Sequence, residues 1–194
     1  MINFTDVTGL ASSVMAMTAL AVRLPGVMRM QSAHYIFLVS TIALGVLIPF
    51  DGLPLAAFVR GWIGDLSIPS VILLALGIFR PLCGGVLLDG KDKTALLLLI
   101  TVLALGLYPM ALGLGYFDPY RLGYGNVWFI VGLLLIALFA CWKNLPQSAL
   151  VIALGIFAWG GGWYESNNLW DYLLDPFLAI YAIYALLRCR FSST

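Results

Sequence analysis

Histidine and charge are what this sequence has least of. His34 is the one histidine among 194 residues, and 10% of the chain is Asp, Glu, Lys or Arg, against about a quarter in soluble domains. A solitary imidazole excludes His-rich zinc, copper and haem sites. A hard cation on Asp and carbonyl oxygens stays compatible with the composition, but no residue cluster signals a metal or cofactor, and none is expected. Walker-type and dinucleotide fingerprints are also missing, because the glycines of Gly113–Gly125 follow an apolar helical run with no strand before them. A net charge of +1 with scattered bases speaks against nucleic acid as a partner. The opening residues, Met1-Ile-Asn-Phe-Thr-Asp6, lack the basic stretch of a cleaved leader, so the first apolar run is expected to be retained.

What fills the chain instead is apolar. Hydrophobic residues make up 62% of it and the mean hydropathy is +1.02. That composition predicts an all-α integral membrane protein, since no soluble core hides so much. Stretches near the roughly 20 residues that a bilayer requires occur at about Val7–Leu24, Ala33–Phe50, Leu66–Phe79, Thr94–Leu112, Asn126–Trp142, Gln147–Trp163 and Leu169–Arg188. The third is short, with Pro69 one turn inside; a start near Ile68 and an end near Cys83 lengthens it, and proline is tolerated in a first turn. The expectation is a compact bundle of about seven transmembrane helices in a single polytopic domain, residues 1–194.

The basic residues orient it. Arg23, Arg29, Arg80, Lys91, Lys93, Lys143, Arg188 and Arg190 fall in alternate connections on one side, leaving Arg60 and Arg121 on the other. Cytoplasmic loops retain Lys and Arg, so the N-terminus is placed outside and the C-terminus inside. Cys83, Cys141 and Cys189 then all lie at the inner face, where thiols stay reduced and no disulfide is expected. Asp89 and Asp92 face inward, while Asp6, Asp51, Asp65, Asp118, Glu165, Asp171 and Asp175 make the outer side acidic. Short loops and little extramembrane mass suggest a multi-pass protein of a bacterial inner membrane. His34 sits at the inner end of helix 2, so a Ser-His-Asp relay on the outer face is excluded.

The inner connections, Pro25–Ser32, Pro81–Lys93 and Lys143–Pro146, read as simple basic crossings. Three outer segments carry the chemistry. Asp51–Asp65, between helices 2 and 3, mixes apolar residues with Arg60 and reads as an interfacial or re-entrant amphipathic segment with Trp62 at headgroup depth. Gly115–Gly125 is dense in Tyr116, Tyr120 and Tyr124, with Arg121 as its one cation; an Arg121–Asp118 pair inside an aromatic belt is the plain expectation. Trp163–Pro176 holds Glu165, Trp170, Asp171 and Asp175. A last helix begun at Pro176 is too short to span, so it is expected to start near Asn168, with Asp171 and Asp175 on one face and a kink at Pro176. An ionisable group at that depth needs an offset, and Arg60 or Arg121 is expected to approach Asp175 or Asp171. Two further features read as structural: Gly160-Gly161-Gly162 as a helix terminator, and Phe177, Tyr181, Tyr184 and Arg188 as a packing stripe.

Three functions fit. The first is an accessory or binding subunit whose outer face holds an envelope enzyme or a lipid-linked glycan, through Arg121, Arg60, Tyr120, Tyr124, Trp170 and Glu165. The second is an enzyme acting on a lipid or lipid-linked phosphate, with Asp175, Asp171 or Asp118 as acid or base and Arg121 on the phosphate. The third is a small carrier coupling protons through Asp171 and Asp175. The expected partners are membrane lipids and a membrane or periplasmic protein. The inner halves of the helices offer almost no ionisable side chain, which weakens the carrier.

Overall fold

The computed structural model describes residues 3–83 and 90–191, apart from the side chains of Arg190 and Phe191. Part of the Pro81–Lys93 crossing, with Asp89, lies outside the described residues. The chain is nearly all-α. Its helices are α1 (Phe4–Ala21), α2 (Ser32–Gly45), α3 (Leu55–Ile63), α4 (Ile68–Cys83), α5 (Gly90–Pro109), α6 (Val127–Trp142), α7 (Pro146–Gly160), α8 (Leu169–Leu173) and α9 (Pro176–Phe191). Tight 3-10 turns occur at Val27–Arg29 and Pro119–Gly123, and a wide π turn at Met110–Leu114 extends α5. A small hairpin pairs β1 (Pro49–Phe50) with β2 (Leu53–Pro54). Asp51 and Gly52 both have positive φ, as a two-residue hairpin turn that follows the twist of its strands requires.

Among the described residues, seven helices of ten or more residues are apolar, one overlapping each of the seven hydropathic stretches, the last beginning at Pro176 rather than near Asn168. Phe4–Ala21 and Gly90–Leu114 are long and apolar enough to cross a membrane; the other five are shorter. The third runs from Ile68 to Cys83, the bounds that give it adequate length with Pro69 in its first turn.

Two compact units form. One comprises Met1–Leu66 with Val71–Leu87, the other Ser67–Ser70 with Leu88–Thr194, so the first residues of α4 count with the second unit. In the first, α1 packs on α2 and α3, and Ala19, Val22, Tyr35 and Ile78 form a core joined by Met15 and Leu74. The Tyr35 hydroxyl donates to the Ile78 carbonyl at 2.6 Å, which satisfies a buried phenol inside that core. In the second, α5 packs on α7 and α9, α6 on α7, and α7 on α8. Gly155 permits the last contact: a Cβ there would stand 2.7 Å from Leu173 Cδ2.

The helix starts follow from short polar side chains. Asp6 accepts the Asn3 amide at 3.0 Å ahead of α1, Asn126 the Phe129 amide at 3.1 Å ahead of α6, and Asn168 the Trp170 amide at 2.9 Å ahead of α8. Each supplies an acceptor to an amide that has no intrahelical partner. Within the helices, Thr8, Ser12, Thr18, Thr41 and Thr101 return their hydroxyls to carbonyls three or four residues back. Such hydroxyls are satisfied without water.

Two expectations are corrected. The last helix is not one kinked rod: α8 ends at Leu173, Leu174 and Asp175 are not helical, and α9 starts at Pro176. Proline at a first helical position costs nothing, whereas a proline inside a helix clashes with the carbonyl four residues back, so the chain breaks rather than bends. The stripe of Phe177, Tyr181, Tyr184 and Arg188 faces outward, and the buried face of α9 is Leu178, Ala179 and Ala182. Gly160–Gly162 does terminate α7, with Gly162 at φ 61°.

Candidate functional site

Three hydrogen-bonded carboxylates organise the second unit. The first is Asp171, on α8. The Tyr120 hydroxyl reaches both of its oxygens at 3.0 Å, and the Ser166 hydroxyl donates to Oδ2 at 2.5 Å. The 3-10 turn that carries Tyr120 is held against α8 by two further bonds: Asn168 Nδ2 to the Tyr120 carbonyl at 3.0 Å and Trp170 Nε1 to the Pro119 carbonyl at 2.9 Å. Gly123 allows this approach, since a Cβ there would overlap the Asn168 carboxamide. Burial, then the Asp171 charge, then the hydrogen bond to Asp171, with a smaller part from Tyr124, hold the Tyr120 phenol above its ordinary range. The phenol is therefore a donor to Asp171 and a poor proton source at neutral pH.

Asp175, 6% exposed, is the second. Its Oδ2 accepts the Ser67 amide at 3.0 Å, the Ser67 hydroxyl at 2.7 Å and the Ser70 hydroxyl at 2.5 Å. Its Oδ1 accepts the Leu178 amide at 2.8 Å. Ser67 precedes α4 and Asp175 precedes α9, so one carboxylate sits at the N-termini of two helices, where free amides and both dipoles favour negative charge. No cation is required.

Asp92, 2% exposed, repeats the device at the start of α7. It accepts the Gln147 amide at 2.8 Å, the Ser148 amide at 2.9 Å and the Ser148 hydroxyl. In the first unit, Arg60 is the centre: Nε lies 2.7 Å from Asp65 Oδ1, Nη2 3.2 Å from Asp65 Oδ2, and Nη1 3.4 Å from Asp6 Oδ1. The guanidinium lies over Gly9 of α1, where any Cβ would collide with it and with the Asp65 carboxylate.

The sequence-derived site residues thus separate. Tyr120, Tyr124, Asp171 and Trp170 come together, with the rings of Tyr120 and Tyr124 edge to face at 5.9 Å. Trp170 is buried against Phe129, 4.5 Å between centroids, and is not a surface platform. Arg60 belongs to the other unit. Neither Asp171 nor Asp175 takes the expected arginine: their partners are hydroxyls and amides of their own unit. Nor does Arg121 pair with Asp118, which instead accepts the Tyr120 amide at 3.0 Å. Arg121 is exposed and has no ion-pair partner among the described residues. Glu165 is exposed beside Ser166, as are Tyr116, Phe117 and Tyr124 on the loop.

Sequence reading placed a helix start near Asn168, which caps α8, but missed the contacts of Ser67, Ser70 and Ser166 and the burial of Asp92. Asp175-Pro176 and Asn168 carried a usable signal, since an acceptor just before a helix, or before a proline at its first position, marks a start. The serine partners of Asp175 carried none, being more than 100 positions away. Family models, curated proteins and solved structures contain nothing that matches the chain.

Proposed function

We propose that this is a multi-pass protein of a bacterial inner membrane, N-terminus outside and C-terminus inside, whose outer face is a binding surface for a lipid-linked glycan or for the envelope enzyme that handles one. Several features support the membrane reading. Seven apolar helices overlap the hydropathic stretches, two of them long enough to cross a membrane, and the basic residues segregate between alternate connections. On α6, Trp128, Leu135, Leu138, Phe139 and Trp142 are exposed and the buried side is narrow, as suits a helix wetted by lipid. The amphipathic α3 exposes Leu55, Phe58 and Trp62, the last at 91%; that stripe suits a helix lying in the headgroup layer.

The observation that carries the functional reading is the division of labour among polar groups. Each of the three acids that qualified for catalysis is engaged by internal donors: Asp175 by four, Asp171 by Tyr120 and Ser166, Asp118 by the turn it caps. The exposed groups on these loops include Arg121 and the rings of Tyr116, Phe117 and Tyr124, beside the exposed acids Asp118 and Glu165. A guanidinium with a planar fork suits phosphate, and amphipathic rings suit a sugar or headgroup. Proton coupling through Asp175 and Asp171 requires acids that water can reach, and Asp175 is buried and Asp171 half-buried, so that reading draws less support; the exposed Asp118 holds one oxygen on the turn it caps.

Native mass spectrometry of the protein extracted in its own lipids tests this. Retention of a phosphate-bearing lipid or glycolipid that is lost in Arg121→Ala, or of a protein with a periplasmic domain lost in the same variant, is the expected result. An adduct profile unchanged by Arg121→Ala would overturn the proposal.

A further inference from the structure

The first unit contains a cleft of about 230 Å3 between α1 and α4, far along both helices from their acids. Its walls are Ala19, Val22, Leu74 and Gly77, and Arg23 and Arg80 stand at it. Both arginines are exposed, and neither has an ion-pair partner among the described residues. The charge pattern along the two helices is polar. Asp6 lies in the first turn of α1 and Arg23 just past its end; Asp65 precedes α4 and Arg80 lies in its last turn. Eighteen residues of α1 separate the two ends by about 27 Å, so the acids paired with Arg60 are well beyond a Debye length of about 8 Å. Among the described residues, two cations therefore share an apolar cleft with no acid paired to them. Leu20 and Phe79, next in sequence to or within two residues of the lining residues Ala19, Gly77 and Arg80, are exposed.

We infer that this cleft holds the headgroup phosphate of an anionic phospholipid on the inner leaflet, with Arg23 and Arg80 on the phosphate and an acyl chain along Leu20 and Phe79. Basic pockets at the inner ends of membrane helices recognise such headgroups, and two arginines present forked donors that a phosphate accepts. Gly77 is what keeps the cleft open: nothing lies within 4 Å of where its Cβ would be, so a larger side chain there fills the space without displacing protein. The inference rests on the membrane reading above and is independent of the outer face.

The test is a titration of detergent-purified, delipidated protein with phosphatidylglycerol, phosphatidylcholine and inorganic phosphate, read by native mass spectrometry. Wild type is expected to prefer phosphatidylglycerol to phosphatidylcholine on the order of tenfold. Arg23→Gln/Arg80→Gln abolishes the preference, Gly77→Leu abolishes it with both arginines kept, and Arg29→Gln, outside the cleft, retains it. Equal binding of the two lipids, a preference that survives both the double variant and Gly77→Leu, or capture of inorganic phosphate with no lipid preference overturns the inference. Carbonate washing of membranes separates the two claims: protein that stays in the pellet but shows no preference refutes the lipid site alone, whereas protein released by carbonate refutes the membrane reading.

Discussion

Truncating Asp175 to alanine removes the acceptor for four donors at once. Two are hydroxyls, Ser67 and Ser70, whose oxygens lie 3.3 Å apart; they can turn to each other and recover part of the loss. The other two are the amides of Ser67 and Leu178, at helix N-termini where no intrahelical carbonyl is in reach. Each stranded buried donor costs about 1–3 kcal/mol. The expected destabilisation is therefore about 3–5 kcal/mol, in the range of the largest single-residue effects. Asp175→Asn keeps one oxygen but turns an NH2 group toward amide donors in either orientation, so it costs about 1–3 kcal/mol. Reversible unfolding of the purified protein in mixed micelles, followed by tryptophan fluorescence against denaturing detergent, measures both. A stabilising role predicts the order wild type, Asn, Ala. Asp175→Ala within about 0.5 kcal/mol of wild type, inside the scatter of ordinary surface changes, would refute the reasoning. So would an Asn variant as stable as wild type.

Two further outcomes are expected. Gly9→Ala gains about 1 kcal/mol of helix propensity but drives a methyl into the Arg60–Asp65 pair, an overpacking cost of about 1–3 kcal/mol. It is predicted to be net destabilising, while Gly132→Ala on α6, with open space around it, is neutral or stabilising; the same unfolding assay decides, and Gly9→Ala at or above wild-type stability contradicts the placement of Arg60. Tyr120 ionises later in the folded protein than in the unfolded chain, so its contribution is complete below the unfolded phenol pKa of about 10 and is lost as pH rises through the higher folded value. Tyr120→Phe should flatten the fall of stability above about pH 10; an alkaline slope equal to or steeper than wild type contradicts the Tyr120–Asp171 bond.

Hydropathy located the apolar helices because their apolar runs are interrupted by glycine, proline and charge, and those interruptions are local. Pro69 is an instance: it is tolerated in a first turn begun at Ile68, and the length that a span needs put the other end of α4 near Cys83. The break before α9 was misread because Pro176 is compatible with either a kink or a start, and the need for a long helix tipped the choice. The start at Asn126 was legible, but its bond to the Phe129 amide, although it lies within a turn, was not read. Asp118 illustrates the competition. An arginine three residues on looked like its natural partner, but the amide of Tyr120, two residues on, is held in place by the backbone and needs no side-chain ordering. The serines that surround Asp175 come from the start of the third apolar stretch, Asp65-Leu-Ser-Ile-Pro-Ser70, where nothing local marks them as partners; tertiary packing alone brings them in.

An outer binding face requires the loop that carries Arg121 to lie outside the membrane. Substituted-cysteine labelling tests that directly: Tyr116→Cys and Lys143→Cys, each in a background where Cys83, Cys141 and Cys189 are replaced by serine, are exposed in intact spheroplasts to a membrane-impermeant maleimide. Both native side chains are exposed, and they lie in connections on opposite sides of α6. Labelling of Tyr116→Cys without permeabilisation, with Lys143→Cys labelled only after it, is the predicted result. The reverse pattern, or equal labelling of both in intact spheroplasts, would contradict the topology and with it the outward binding face.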